Sequence, residues 1–264
     1  MQFFAILLSS ILGILSPAGS VVDEVAEDAI ADRLDSAEQI TVRIDNAPSY
    51  RFLQGRAERI RIAGRGLYPT PGVRVAALEL ETDPIAVDPT RLRSGQLQLE
   101  KPLRAGVRLV LSREDINQAL QSPAVADRLR NLSLNLLASP SAQALQRYEL
   151  VDPQVKFLDN DRIRLQVMLA GGDSDRQTIL VESGLAIVQG QRLQLIDPQA
   201  SFNGQPVPSQ VINLLIGGLS DRLDLSELEE QGITARILKL EVTAEELTIA
   251  GFVSLDPAVF HFRN

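Results

Sequence analysis

The chain has 264 residues, with 26 basic and 34 acidic side chains and a formal net charge of -8. It contains no cysteine, no tryptophan and one histidine, His261, close to the C-terminus. This inventory excludes a disulfide framework, a thiol nucleophile, a zinc-finger cluster and an iron–sulfur centre, and any histidine triad would have to use His261.

Hydrophobic residues make up 45% of the chain but aromatics only 4%, so Leu, Ile, Val and Ala must build the interior. Only Lys101, Lys156 and Lys239 are lysines; the other basic residues are arginines, which form bidentate pairs with phosphate and carboxylate. Net acidity argues against a dedicated nucleic-acid binder.

Residues 3–15 (FFAILLSSILGIL) are uncharged and end at Ser16-Pro17-Ala18-Gly19-Ser20. The stretch is short for a bilayer-spanning helix, which needs about 20 apolar residues. Three readings of residues 1–20 fit it: a cleaved export signal, a retained apolar anchor, or a helix docked on the fold. No cysteine follows, which excludes lipoprotein processing.

Residues 21–37 follow as an amphipathic helix. Val22, Val25, Ala26, Ala29, Ile30 and Leu34 form its apolar stripe, while Asp23, Glu24, Glu27, Asp28, Asp32 and Asp35 cover the remainder. Such an acidic face is repelled by an anionic membrane, so the helix is expected to pack on the body of the protein.

From Ile40 the period changes to two. ITVRID, ERIRIAG (58–64), VRVAALELET (73–82), QLQLEK (96–101) and AGVRLVL (105–111) read as strands, with a glycine-rich turn expected through Gly66 and Pro69. They are joined by loops and not by helical crossovers, which favours antiparallel pairing. Ser112 is the expected N-cap of SREDINQALQS, with Asp115 at N3 able to reach back. A second helical stretch, AVADRLRNLSLNLL, follows Pro123.

Strand periodicity returns from Tyr148. Turns are expected at Asp159-Asn160-Asp161, Gly184 and Gly190, and Ser209 opens a short helix, SQVINLLIGGL. A polar helical turn through Ser226 to Glu230 leads to Gly232, and two strands around Thr243-Ala244-Glu245 close the fold. Residues 38–258 thus read as a single domain, with 259–264 as a tail. Ala57–Gly64 matches Ala244–Gly251 in spacing, and 97–120 resembles 193–215 in element order, as two similarly built halves would.

The segments EQITVRIDNAPSYRFLQGRAERIRIAGRGLY, VRVAALELETDPI, VRLVLSREDINQAL, LNLLASPSAQALQRYELVDP, RLQLIDPQASFNGQPVP and DRLDLSELEEQGITARILKLEV together resemble the LmeA-like phospholipid-binding family in its cyanobacterial type. The resemblance implies an α+β fold in which a curved antiparallel sheet wraps around long helices, as in tubular lipid-binding domains. It also implies phospholipid as partner, with acyl chains in an apolar groove, no catalytic motif and no cofactor.

Residue chemistry nominates two sites. Arg51, Arg56, Arg59, Arg61 and Arg65, flanked by Tyr50, Phe52 and Tyr68, could receive a lipid headgroup; residues 41–113 carry 13 basic and 7 acidic side chains. The alternative is that these arginines pair with Glu58, Glu79, Glu81 and the acidic C-terminal part of the chain across a solvated sheet face. The apolar lining is expected from Ile60, Ile62, Val107, Leu109, Leu111, Ile116, Leu120, Leu132, Leu136, Leu137, Val211, Ile212, Leu215 and Ile216, any of which could instead be ordinary core. Glu79, Glu81 and Asp83 share a strand face without a partner acid across a cleft, and no phosphate-cradling loop is present.

The expectation is therefore a non-catalytic, metal-free lipid binder, membrane-associated or periplasmic, that touches a membrane surface. The competing reading is a cell-envelope scaffold with a dry core and a protein partner.

Overall fold

The computed structural model describes residues 27–28, 30–45, 55–93, 96–123, 149–171, 175–209, 212, 224–257 and 262–263. Among them strand accounts for 66% and helix for 15%, the latter in three short helices. This overturns the expected sheet wrapped around long helices: the molecule is mostly antiparallel sheet. The reason lies in the period-two alternation, which persists from one tight turn to the next with little chain between. The predicted helix after Pro123 lies outside the described residues.

The first sheet has six strands in the order β1 (Ser36–Asp45), β3 (Arg59–Thr70), β4 (Val73–Thr82), β7 (Leu103–Ser112), β14 (Glu246–Leu255) and β13 (Ile233–Val242). The second has five, in the order β12 (Gln205–Pro206), β11 (Arg192–Phe202), β10 (Asp175–Val188), β9 (Arg162–Gly171) and β8 (Glu149–Leu158). Two small pairs complete the set: β2 (Arg56–Ala57) with β5 (Ile85–Ala86), and β6 (Gln96–Leu97) with β15 (Phe262–Arg263). Every pairing is antiparallel.

The chain order gives two four-stranded meanders, β1-β3-β4-β7 and β8-β9-β10-β11, each followed by a serine-led helical start at Ser112 or Ser209. The β13–β14 hairpin then returns to pair with β7. The matched octapeptides at 57–64 and 244–251 run into β3 and β14; β3 is the second strand of the first meander, whereas β14 belongs to neither.

Alternation decides the first sheet's faces. Ile60 and Ile62 of β3, Leu78 and Leu80 of β4, and Leu103 and Ala105 of β7 are buried, while Arg59, Arg61, Glu79, Glu81, Arg104 and Arg108 point the other way. Ile30 and Leu34 from the N-terminal stretch join this core, as the apolar stripe implies. Helical backbone there is described only at Glu27, Asp28, Ile30 and Ala31, and β1 has begun by Ser36. The Glu27 carboxylate accepts the Val42 N–H at 2.9 Å, satisfying a donor on the exposed edge of β1.

Two expected glycine turns are not turns. Gly66 lies inside β3 with φ +54, so Arg65 outside is followed by two buried residues, Gly66 and Leu67. The reversal comes later, at Pro71-Gly72. Gly184 lies inside β10 opposite Ile196, whereas Gly190 does turn, with φ +71. QLQLEK forms strand only over Gln96–Leu97.

Short helices fill the joints. α1 spans Pro89–Arg93, and Asp88 caps it by accepting the Thr90 and Arg91 N–H groups. Those bonds, led by Arg91, hold the Asp88 carboxyl below its usual range. α2 spans Arg113–Gln121 and is capped as predicted, the Ser112 hydroxyl accepting the Asp115 N–H at 3.0 Å. It stops at Ser122, whose extended backbone precedes Pro123. A 3-10 helix, Leu225–Gln231, ends on Gly232 in the left-handed conformation.

Candidate functional site

The outer face of the first sheet carries the arginines. Arg59, Arg61 and Arg65 all sit there, on the side opposite Ile60 and Ile62. Arg59 lies 3.1 Å from Glu81, and Arg61 lies 2.9 Å from Asp45 and 3.3 Å from Glu81. Arg43 joins Asp45 at 3.0 Å, and Arg108 reaches Glu79 at 3.4 Å. An open cleft of about 530 Å³ lies over this face, with Arg43, Arg61, Arg108, Glu79 and Glu81 around small floor residues such as Ala63 and Gly106. These charges pair across strands, with Asp45 as well as Glu79 and Glu81 as the acidic partners. Glu79 and Glu81 belong to that ladder and do not oppose another acid across the cleft. Arg56 and Arg65 are exposed and make no ion pair among the described residues, and Arg51, Tyr50 and Phe52 lie outside them.

The proposed apolar lining divides into three groups. Ile60, Ile62 and Ile212 are core, at 0%, 2% and 6% exposed. Val107, Leu109 and Leu111 on β7, and Ile116 and Leu120 on α2, are half-buried. Leu132, Leu136, Leu137, Val211, Leu215 and Ile216 lie outside the described residues.

One incompletely buried apolar surface among the described residues is not one that sequence reasoning nominated. Pairing in the second sheet places Val155, Ile163, Leu165, Val167, Ile179, Val181, Leu185, Ile187, Leu193 and Leu195 on a single face. All ten are half-buried, whereas Phe157, Leu169 and Ser183 on the same face are buried. The opposite face is mixed: Lys156, Arg162, Arg164, Gln166, Glu182 and Gln194 stand among Leu158, Met168, Leu180, Val188 and the exposed Ile196, with Arg164 bound to Glu182 at 2.6 Å. The sequence signal was the alternation of RIRLQVML and TILVESGLAIV, which locates the strands but does not say how fully the face is covered.

Two bulges bend this sheet. Asp152-Pro153 in β8 stand opposite Val167, and Asp197-Pro198 in β11 stand opposite Ser183. Both aspartates have positive φ, 51 and 44, a conformation Asp tolerates better than most residues. They lie in a repeated motif, Leu150-Val151-Asp152-Pro153-Gln154 and Leu195-Ile196-Asp197-Pro198-Gln199. The Ser183 hydroxyl lies 3.0 Å from the Ile196 carbonyl beside the second bulge.

The sheets meet at two joints. On one side the turns of the second sheet reach β13: the Ile237 N–H donates to the Gly190 carbonyl at 2.6 Å, and the Val242 N–H to the Asp161 carboxylate at 2.9 Å. On the other side stands α2. Asp115, 5% exposed, turns both carboxylate oxygens to one nitrogen of Arg74 of β4, Nη1, at 3.0 and 3.1 Å, while the two-nitrogen fork of Arg74, Nε and Nη2, goes to Glu38 of β1 at 3.0 and 3.2 Å. Burial opposes the Arg74 charge, but the bonds to Asp115 and Glu38 outweigh it and raise the Arg74 pKa. Two residues on, the Asn117 amide donates to the Val155 carbonyl at 3.0 Å and accepts the Val155 N–H at 2.6 Å.

Among the described residues there is no group of three or more metal-binding side chains, and no helix long and apolar enough to cross a membrane. A family model described as LmeA-like phospholipid-binding matches residues 15–252. No curated protein and no solved structure matches the chain.

Proposed function

The chain belongs to the LmeA-like phospholipid-binding family, and from that premise we infer that it holds phospholipid acyl chains against the apolar face of its second sheet. One observation carries the assignment: ten aliphatic side chains on one face stop at half burial, while on the inner face of the first sheet Ile60, Ile62, Leu78 and Leu80 are buried and half-buried aliphatics such as Val107, Leu109 and Leu111 pack against them. A surface of that kind gains from a further apolar layer. Each CH2 buried contributes about 0.8 kcal/mol, so two acyl chains need no strong polar contact to stay bound. A bent sheet of branched aliphatics and few aromatics suits flexible chains. The family description is of binding, and the exposed carboxylates paired to arginine give no acid–base site.

The arginines take a different part in this reading. Arg59, Arg61 and Arg65 sit across the first sheet from its core, so they do not form the rim of a groove lined by Ile60 and Ile62. On β1, β3, β4 and β7 six outward arginines (43, 59, 61, 65, 104, 108) face four carboxylates, Asp45, Glu79, Glu81 and, just past the end of β4, Asp83. That surplus favours attraction to an anionic membrane surface, at up to about 1 kcal/mol per unpaired cation.

The test is native mass spectrometry, with solvent extraction, of protein purified without detergent. Stoichiometric phospholipid is expected. Absence of lipid, together with no uptake from vesicles of phosphatidylglycerol and phosphatidylcholine, would leave the family fold acting as a dry scaffold.

A further inference from the structure

We propose that the seam between α2 and β8 is the gate through which acyl chains reach the second sheet, with Asn117 as its latch. The inference rests on the lipid-binding reading above. Helix α2 is fastened unequally to its two neighbours. Toward the first sheet it has a partly buried ion pair, both Asp115 oxygens on Arg74 Nη1, backed by the Arg74 fork to Glu38 and the Ser112 cap. Toward the second sheet the described side-chain bonds are the two made by one neutral amide, Asn117, to the backbone of Val155.

Breaking a buried ion pair costs several kcal/mol, whereas a neutral hydrogen bond exchanged for water costs about 1 kcal/mol. When the two sheets part, α2 therefore stays with β4 and separates from β8. The β13 joint is the firmer of the two joints because it includes a backbone-to-backbone bond and a bond to a carboxylate.

The seam also has the right lining. Ile116 and Leu120 stand one position before and three after Asn117 on α2 and are half-buried, as is Val155 on β8. Beyond Val155 the apolar face continues through Leu165 and Val181 by direct cross-strand pairing. Asn117 also binds just past the Asp152-Pro153 bulge, where β8 has shifted register and its outer edge has no strand partner among the described residues. Parting the latch exposes two backbone groups that water can satisfy, so opening leaves nothing buried and unpaired.

The experiment follows uptake of a fluorescently labelled phospholipid from phosphatidylglycerol–phosphatidylcholine vesicles. Asn117→Ala is expected to load and unload about tenfold faster than wild type, with the same amount bound at equilibrium. The absence of cysteine from the chain permits a second variant, Asn117→Cys with Gln154→Cys, bridged by a reducible bifunctional thiol reagent. The bridged protein should load at least tenfold more slowly and recover on reduction. Bridged and reduced protein loading at equal rates, with Asn117→Ala at the wild-type rate, overturns the gate and leaves lipid binding standing. No uptake by wild type overturns both.

Discussion

Arg74, Asp115 and Asn117 show how position decides what a polar side chain is worth. Asp115 is almost fully buried with both oxygens on Arg74 Nη1, so Asp115→Ala leaves a half-buried guanidinium short of one of its two carboxylates. We expect a loss of about 3 kcal/mol in urea unfolding. Arg59→Ala should change stability by less than about 0.5 kcal/mol, because its ion pair with Glu81 is roughly half exposed on both sides. Equal losses in the two variants would contradict this ranking. Asp224 supplies a pH test. Its carboxyl is pushed down to about 2, first by the Ser226 hydroxyl and N–H and then by Arg192. A depressed carboxyl stabilises the fold above its unfolded pKa, about 3.9, and that contribution is lost as pH falls through its folded value. The stability gap between wild type and Asp224→Ala should hold above pH 4 and shrink from there toward pH 2; a gap unchanged across that window would refute the assignment.

At the scale of elements, alternation made most of the strands legible, and VRVAALELET is β4 residue for residue. What it could not supply was every break within them. Gly66 looks like turn chemistry, yet its positive φ is used inside β3 to bring Leu67 in toward the core without ending the strand. Asp152-Pro153 and Asp197-Pro198 look like loop residues and are bulges in continuous strands, because one extra residue in a ladder is accommodated locally. The bulges make a prediction of their own. Asp197→Gly should leave stability within about 0.5 kcal/mol of wild type, since Gly adopts positive φ freely, while Asp197→Val should lose about 1–2 kcal/mol. Thermal unfolding of the two variants checks this, and equal melting temperatures would show that the left-handed residue is not constraining the bend. The serine cap was legible because the hydroxyl-to-N3 bond is local; the fate of Asp115, claimed by Arg74 some forty residues earlier, was not.

For the whole molecule, the same alternation has opposite consequences in the two sheets. In the first it closes an apolar interior over β3 and β4 and leaves cross-strand ion pairs with an excess of arginine outside. In the second it leaves an apolar face incompletely covered, and this difference depends on long-range packing that no local window of sequence contains. The residues first nominated for the groove on β3 belong to the closed interior, and the more open surface runs from Val155 to Leu195. The net charge of -8 likewise resolves into an arginine-rich face and acidic surroundings, so an acidic protein can still approach an anionic surface.

The direct test of the central claim uses a phospholipid bearing a photoactivatable diazirine near the end of one acyl chain. After loading and irradiation, mass spectrometry of proteolytic peptides locates the adducts. Acyl chains on the second sheet predict labelling at Ile163, Leu165, Ile179, Val181 and Leu185; labelling confined to the arginine face of the first sheet, or no labelling, would contradict the account.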